Sequence, residues 1–542
     1  MQSNQTSFRY RSSTRRTGAR KHLPEQRDRN MSKSAFHELG LKKTILAKIE
    51  QIQEIYLADQ IPWVIGYSGG KDSTAALQLV WMALKELPPD KRNHKAVHVI
   101  STDTLVENPI VATWVRKSLK QIELQAEHDE LPITPHELQP TVQDSYWVNL
   151  LGKGYPAPRN KFRWCTLRLK INPSNRFIKD MVSSHGEAIV VLGTRSAESS
   201  ARANVISEHK KLRERTGFYL SPNSALENCF IYSPVEEWSN DDVWQFLLSY
   251  DNPWGYSNEN LMSLYRGATE GGECPLVVDT TTESCGKSRF GCWVCTLVEE
   301  DKSMAAMISN DMEKEWLSPL LEFRNELEFR SKTLPDGTRD ESNRQRDRSR
   351  RDFRRMHGQV NLYNDNIVPG PYTQTARKEL LALLLQVERA VQEMAPEGYE
   401  DISIITDREL QEIRRIWVVE KNEVEDLLPE IYKAETGKEL NDDSIYPNGV
   451  GKETYQLLKE LCGEDFLQYE MLRDLINTEH RYRTMSRRAG LFQELEKSIK
   501  HSFYENVDDA KQMAIRKITA RGEINTAREE RTSAELVDKH QR

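Results

Sequence analysis

Thirteen residues, Pro62 to Thr74, limit what this chain can fold into more than any other stretch. The run Trp63-Val-Ile-Gly-Tyr67 is apolar and rich in β-branched and aromatic residues, which predicts a buried strand. It ends in Ser68-Gly69-Gly70, where two residues without a Cβ let backbone N–H groups converge on an anion. Lys71-Asp72-Ser73-Thr74 then opens an amphipathic run to about Leu87, so the turn feeds a helix N-terminus. Converging N–H groups, a helix dipole and a lysine together make a phosphate-binding turn. The common G-x-x-x-x-G-K-[ST] loop is excluded. Its first glycine would fall on Ile65, and Asp72 stands where the metal-binding hydroxyl should follow the lysine. The plainer alternative is a Gly-Gly turn between strand and helix.

The pattern around this turn repeats. Residues 35–59 carry Leu41, Ile45, Ile49, Ile52 and Ile55 at helical spacing. Ala96–Ile100 reads as a second strand ending at Ser101-Thr-Asp103-Thr104, and 109–124 as a helix. Glu187–Leu192 and Phe230–Pro234 read as further strands, and Ser239 with Asp242 can cap the helix that follows. Strands alternating with helices predict a parallel sheet covered on its faces. Ligands of such sheets bind at the carboxyl ends of the strands, where Ser68–Ser73, Asp103, Gly193 and Arg195 fall. Asp103 is either a nucleotide or metal contact or an ordinary turn residue. Residues 134–163, rich in Pro, Gly and aromatics, are expected to form an ordered loop over the site.

A chain of 542 residues exceeds one ordinary domain. Residues 1–33 hold nine Lys or Arg against two acids and are expected to be a disordered basic tail. They resemble a transit segment in composition but lack an amphipathic face, and Met31 offers a natural alternative start. An α/β core follows over 34–255, a cysteine-rich region over 256–329 and a charged linker over 330–372. A helical domain over 373–500 and a charged helical tail over 501–542 complete the expected division. No apolar run approaches the ~20 residues of a membrane span, so a cytoplasmic protein is expected. The net charge is −7, so nucleic-acid binding would have to rest on a local patch. Residues 330–356 hold ten Lys or Arg against five acids, which suits either a solvated linker or a segment lying along phosphates.

The seven cysteines are clustered in a way that favours metal binding or catalysis over disulfides. Cys165 lies in Arg163-Trp-Cys-Thr-Leu-Arg168-Leu-Lys170, whose cations are expected to bind phosphates and to lower the thiol pKa. Cys165 then reads as a nucleophile or persulfide carrier, or else as a small buried hydrophobe. Cys274, Cys285, Cys292 and Cys295 are spaced C-x10-C-x6-C-x2-C among glycines, which suits tetrahedral zinc or a [4Fe–4S] cluster. Zinc ribbons usually present two C-x2-C knuckles, and only one is present here, but spacing alone leaves both open. His209 and His357 fall outside this spacing and read as surface residues.

Ser68-Gly-Gly-Lys-Asp-Ser-Thr74 resembles the pyrophosphate loop of the N-type ATP pyrophosphatases, a superfamily that includes phosphoadenylylsulfate (PAPS) reductases and tRNA thiolases. Gly193-Thr-Arg195-Ser-Ala-Glu198-Ser199-Ala-Arg202 resembles its G-x-R-x-x-E-S-x-x-R signature. With the solitary Cys165, the four-cysteine loop and the helical C-terminal half, residues 35–500 resemble the DndC family of bacterial DNA phosphorothioation. The resemblance implies a PAPS reductase-like, adenine-nucleotide α-hydrolase-like α/β core with an all-α C-terminal region. It also implies ATP, Mg²⁺ and a [4Fe–4S] cluster as cofactors, and cleavage of ATP to AMP and pyrophosphate to activate a DNA phosphate for sulfur insertion. The partners implied are a cysteine desulfurase, DndD, DndE and DNA. ATP contacts are then expected from Ser68, Gly69, Gly70, Lys71, Asp72, Ser73, Asp103, Gly193, Arg195 and Arg202. Chemistry is expected from Lys71, Asp72, Cys165 and Arg195, with Asp72 or Asp103 holding Mg²⁺, and cluster ligation from Cys274, Cys285, Cys292 and Cys295. A tRNA thiolase, a PAPS or adenylylsulfate reductase, and a non-catalytic DNA-binding scaffold are the rival readings. The reductase lacks its late Glu-Cys-Gly-x-His setting at Cys462.

Overall fold

The computed structural model describes residues 34–198, 203–204, 206–207, 219–269, 290–399, 402–440 and 452–520, except 484 and 486. The strand before the glycine turn, β1 (Trp63–Gly66), lies inside a six-stranded sheet. With β2 (Val97–Thr102), β3 (Ile133–Leu138), β4 (Ala188–Val191), β5 (Ser221–Pro222) and β6 (Cys229–Tyr232) the spatial order is β3-β2-β1-β4-β6-β5. All neighbours run parallel except the short edge pair β5–β6. Trp63 sits between Val97 and Ile189, so the chain builds outward through β2 and β3 and returns to the other side of β1 with β4.

Alternation along β1 decides the layers. Trp63 and Ile65 enter a core shared with α1 (Leu41–Leu57) and α2 (Lys71–Glu86). Val64 points to the opposite face, against Ile178 of the helix Asn172–His185. Burial on both faces is what an uninterrupted apolar strand requires. The capping box expected at Ser239 and Asp242 is present, with the Asp242 N–H donating to Ser239 Oγ at 3.1 Å.

Ile133–Leu138, expected within a loop, is the edge strand beyond β2. Its Pro135 hid it, and an edge is where a strand tolerates a missing N–H. The following turns do not lie over the glycine loop as expected. Tyr146, Trp147, Leu150 and Trp164 join Trp293, Phe323, Leu380, Leu384, Ile413 and Trp417 in a second core. Trp147 Nε1 donates to Ile404 O at 2.7 Å, and Trp417 Nε1 to Leu151 O at 2.8 Å. Each such buried large side chain contributes roughly 1.5–3 kcal/mol. This core crosses the expected boundaries at 256, 330 and 373.

Helices Gln374–Met394, Asp407–Arg415, Leu428–Thr436, Lys452–Cys462, Phe466–Arg483 and Leu491–Ser502 make up the C-terminal half. Gly490 at φ 90° caps the start of the last of these. The arginine run is not a solvated linker. It contains the helix Ser342–Ser349, and Arg354 is buried, donating to Asp352 and Glu470 at 2.7 Å each. Arg346 and Arg350 likewise pair with Glu326, and Arg351 with Asp347. His357 is exposed, as expected, whereas His209 lies outside the described residues. No described helix is long and apolar enough to cross a membrane.

Candidate active site

The return of the chain from β3 to β4 leaves a crevice at the carboxyl ends of β1, β2 and β4, the place where such sheets bind ligands. It is a cleft of about 880 Å³ whose lining includes Ser68, Gly69, Gly70, Lys71, Asp72, Asp103 and Arg195. Gly69 has φ +69°, and a Cβ there would stand 2.5 Å from the Val115 side chain. Ser73 Oγ closes the turn, accepting from Ser68 N at 3.2 Å and donating to Gly70 O at 3.0 Å. Helix α2 then starts at Lys71 with its N–H groups beside the cleft.

Asp72 organises the charges. One carboxylate oxygen accepts from Arg195 Nε at 2.6 Å and the other meets Lys71 Nζ at 3.1 Å. Arg195 is 4% exposed and also donates to Trp238 O at 3.2 Å. Both oxygens of Asp72 are therefore taken by cations. Gly193, at the end of β4, lies so close to α2 that a Cβ there would be 2.4 Å from Asp72 O. Adjacency of β1 and β4 thus joins two motifs some 120 residues apart.

Asp103 lies at the end of β2, where it accepts from Leu105 N at 2.8 Å. Burial raises its carboxyl above the usual range, and Arg116 stands 3.9 Å away. Of the second signature, Ser199 and Arg202 and the Glu198 side chain lie outside the described residues. Tyr265 was not anticipated. Its hydroxyl accepts from Lys71 N at 3.4 Å, and Lys71 Nζ lies 5.4 Å from its ring centre. Only core spacing on a helix marks Tyr265 in the sequence, a signal that any packed tyrosine gives.

Cysteine side chains lie behind one wall of the cleft. Glu107 and Lys170 both line the cleft, with Lys170 Nζ 3.3 Å from Glu107 Oε1. Glu107 also pairs with Cys292 as an antiparallel bridge, reinforced by Trp293 N donating to Val106 O at 3.0 Å. Thr104 Oγ1 donates to Glu107 at 2.9 Å and lies 3.4 Å from Cys292 Sγ, so Thr104 serves the thiol side. Burial, then Glu107, pushes the Cys292 thiol up to about 12. Lys170 is held above its ordinary value by Cys292 and Glu107.

The expected low pKa of Cys165 is overturned. Burial raises its thiol, and Cys295 nearby adds to the rise. The cations meant to lower it are occupied elsewhere: Arg168 by Asp144 at 3.0 Å, Lys170 by Glu107, and the exposed Arg163 only by Asn160 at 3.4 Å. Tyr146, fully buried, is pushed well above its ordinary value by burial and then by Cys165, Tyr372, Cys295 and Cys292. Its hydroxyl has no hydrogen-bond partner among the described residues. The three thiols thus act electrostatically on one buried, unpartnered hydroxyl. Cys274 and Cys285 lie outside the described residues, and among the described ones no three acids, histidines or cysteines form a ready metal cage.

Residues 62–297 match the family model of the phosphoadenosine phosphosulfate reductase domain. An uncharacterized protein of Methanocaldococcus jannaschii is 24% identical over 248 residues, which are 46% of this chain and 39% of that protein. The match thus spans well under half of that relative's length. Among solved structures, the PAPS reductase of Candida auris in a phosphate complex aligns at 12% identity with a TM-score of 0.24, over 39% of this chain and 82% of that one. The U34-tRNA thiolase NcsA of Methanococcus maripaludis with its [4Fe-4S] cluster aligns at 13% identity with a TM-score of 0.23, over 51% of this chain and 75% of that one.

Proposed function

We propose that this chain is an ATP-dependent sulfurtransferase of DNA phosphorothioation, cleaving ATP to AMP and pyrophosphate to activate a DNA backbone phosphate for sulfur insertion. The observation that supports it best is Glu107 in the wall of the cleft, which meets Lys170 on one side and Cys292 on the other. Phosphate activation and sulfur chemistry then lie within a few side chains of each other.

The turn Ser68–Ser73 would hold the β and γ phosphates on its N–H groups. Lys71 and Arg195, already aimed by Asp72, would stabilise charge on the departing pyrophosphate. A DNA phosphate oxygen attacks the α-phosphorus; one P–O bond forms, the bond to the β-phosphate's bridging oxygen breaks, and pyrophosphate leaves. Sulfur at the sulfide oxidation level, supplied by a cysteine desulfurase with a thiol reductant, then displaces AMP. Mg²⁺ would be held by Asp103 rather than Asp72, whose oxygens are both engaged. DndD- and DndE-like proteins are the further partners this function implies.

Three thiols that act on the unpartnered Tyr146 hydroxyl fit an iron–sulfur cluster. Its ligands would be Cys165, Cys292, Cys295 and one of Cys274 and Cys285. Bound there, a [4Fe–4S] cluster supplies thiophilic iron beside the cleft. Cys165→Ser is expected to lose most of the iron bound after anaerobic reconstitution, as Cys292→Ser should. Full iron in Cys165→Ser, with loss in both Cys274→Ser and Cys285→Ser, would restore the ligand set of the loop alone.

The function itself is tested by mass spectrometry of nuclease-digested DNA and tRNA from source cells with and without the gene. Phosphorothioate-linked dinucleotides should vanish while tRNA thionucleosides persist. Loss of a tRNA thionucleoside with DNA unchanged would replace the substrate.

A further inference from the structure

The segment leading to Cys165 carries a second arrangement that the nucleotide cleft does not use. Arg159 and Phe162 pair across a tight hairpin, with Phe162 N donating to Arg159 O at 2.8 Å and Arg159 N to Phe162 O at 3.2 Å. The hairpin is anchored at its base. Arg159 donates to both oxygens of Asp347 at 2.7 and 2.8 Å and stacks on Phe329, with its guanidinium carbon 4.2 Å from the ring centre. Just before it in the chain, Pro158 O accepts from Thr296 Oγ1 at 2.8 Å, tying the same turn to the Cys292–Cys295 loop. Its tip is thus presented on a fixed base.

What it presents is an aromatic ring between two cations. Phe162 is 42% exposed, with its other side against Tyr155 at 5.8 Å between ring centres. Lys161 and Arg163 flank it, both exposed. The neighbouring carboxylates are already paired: Asp347 with Arg159, Asp144 with Arg168, and Glu107 with Lys170. Lys161 and Arg163 make no ion pair with any described carboxylate, in a chain whose net charge is −7. Leu167, 55% exposed, extends the apolar strip past Cys165. A structural explanation of Phe162 as core fails, because nearly half of it faces solvent on a hairpin held by other residues.

We infer that this hairpin is the docking surface for a DNA strand, with phosphates on Lys161 and Arg163 and an unstacked base on Phe162. The choice of DNA rests on the function proposed above; the surface itself rests on charge complementarity and on the ring. Cations set at intervals beside an exposed aromatic are what a single nucleic-acid strand recognises, through its backbone charge and the π-faces of its bases. The position fits the task. Arg163 is exposed and two residues from the half-buried Cys165, so a strand held there lies close to that cysteine along the chain.

The test is fluorescence anisotropy of a labelled single-stranded DNA oligonucleotide on the full chain, with an unlabelled tRNA transcript as competitor. Lys161→Glu with Arg163→Glu should weaken binding at least about ten-fold and shallow the salt dependence by about one to two units of log–log slope. Phe162→Ala should weaken binding about ten-fold and leave that slope unchanged. A wild-type melting temperature and wild-type ATP affinity serve as the check that these variants are folded. Variants that bind DNA like wild type, or a tRNA transcript that displaces DNA and is itself lost with the variants, would overturn the inference. Failure of the proposed function is separable. If DNA binding follows these expectations but cells lacking the gene keep their phosphorothioates, the surface stands and the modification does not. If phosphorothioates depend on the gene and Lys161→Glu with Arg163→Glu restores them fully, the surface alone fails.

Discussion

Asp72→Ala is expected to retain ATP binding while lowering pyrophosphate release by at least about 100-fold, the scale seen when charge stabilisation at a transition state is lost. In the proposed reaction this carboxylate does not touch the triphosphate. It fixes Arg195 Nε at 2.6 Å and Lys71 Nζ at 3.1 Å, so its loss frees both cations from the geometry that would meet the leaving group. Removing one negative charge from the cleft also lowers repulsion of the nucleotide, which is why affinity should hold or rise while turnover falls. Arg195 is nearly fully buried, and removing one partner of a buried ion pair costs up to about 3–5 kcal/mol. Asp72→Asn keeps the shape and provides the necessary companion. If both variants melt within a few degrees of wild type and still release pyrophosphate at its rate, the loop has no part in ATP cleavage.

Gly193→Ala is expected to disrupt the joint between the cleft's two motifs. The added Cβ would lie 2.4 Å from Asp72 O, 2.5 Å from Asp72 C and 2.8 Å from Ser73 N. Those are backbone atoms of a helix start, so no rotamer change can relieve the contact. Either β4 separates from the turn or α2 shifts, and each moves Arg195 away from Asp72. Overpacking of this kind costs about 1–3 kcal/mol, or roughly 2–4 °C of melting temperature per kcal/mol in a domain of this size. ATP binding should fall with it. Gly267→Ala is the control, since its Cβ would meet only Lys314 Nζ at 3.6 Å. Melting temperatures and ATP affinity of the two variants, measured side by side, check this; equal behaviour would show that the β4–α2 contact carries no constraint.

Local pattern alone determined the parallel core. A strand buried on both faces, a glycine turn and an amphipathic helix are written in consecutive residues, and so are the motifs Ser68–Ser73 and Gly193–Arg195. These elements arise from short-range periodicity and backbone sterics, which a sequence states directly. The tertiary structure decided what depends on which side chain meets which. It set Asp72 between Lys71 and Arg195 as a clamp on both cations. It raised the Cys165 thiol, because Asp144 and Glu107, remote along the chain, hold the arginine and lysine that composition had assigned to it. It set Cys295 near Cys165, added Tyr265 to the cleft, and turned Arg354 of the arginine run inward onto Asp352 and Glu470. Charge is legible in a sequence, but the partner that neutralises it is chosen by packing across the whole chain, because Coulomb energy depends on distance in space and on burial, and neither is local.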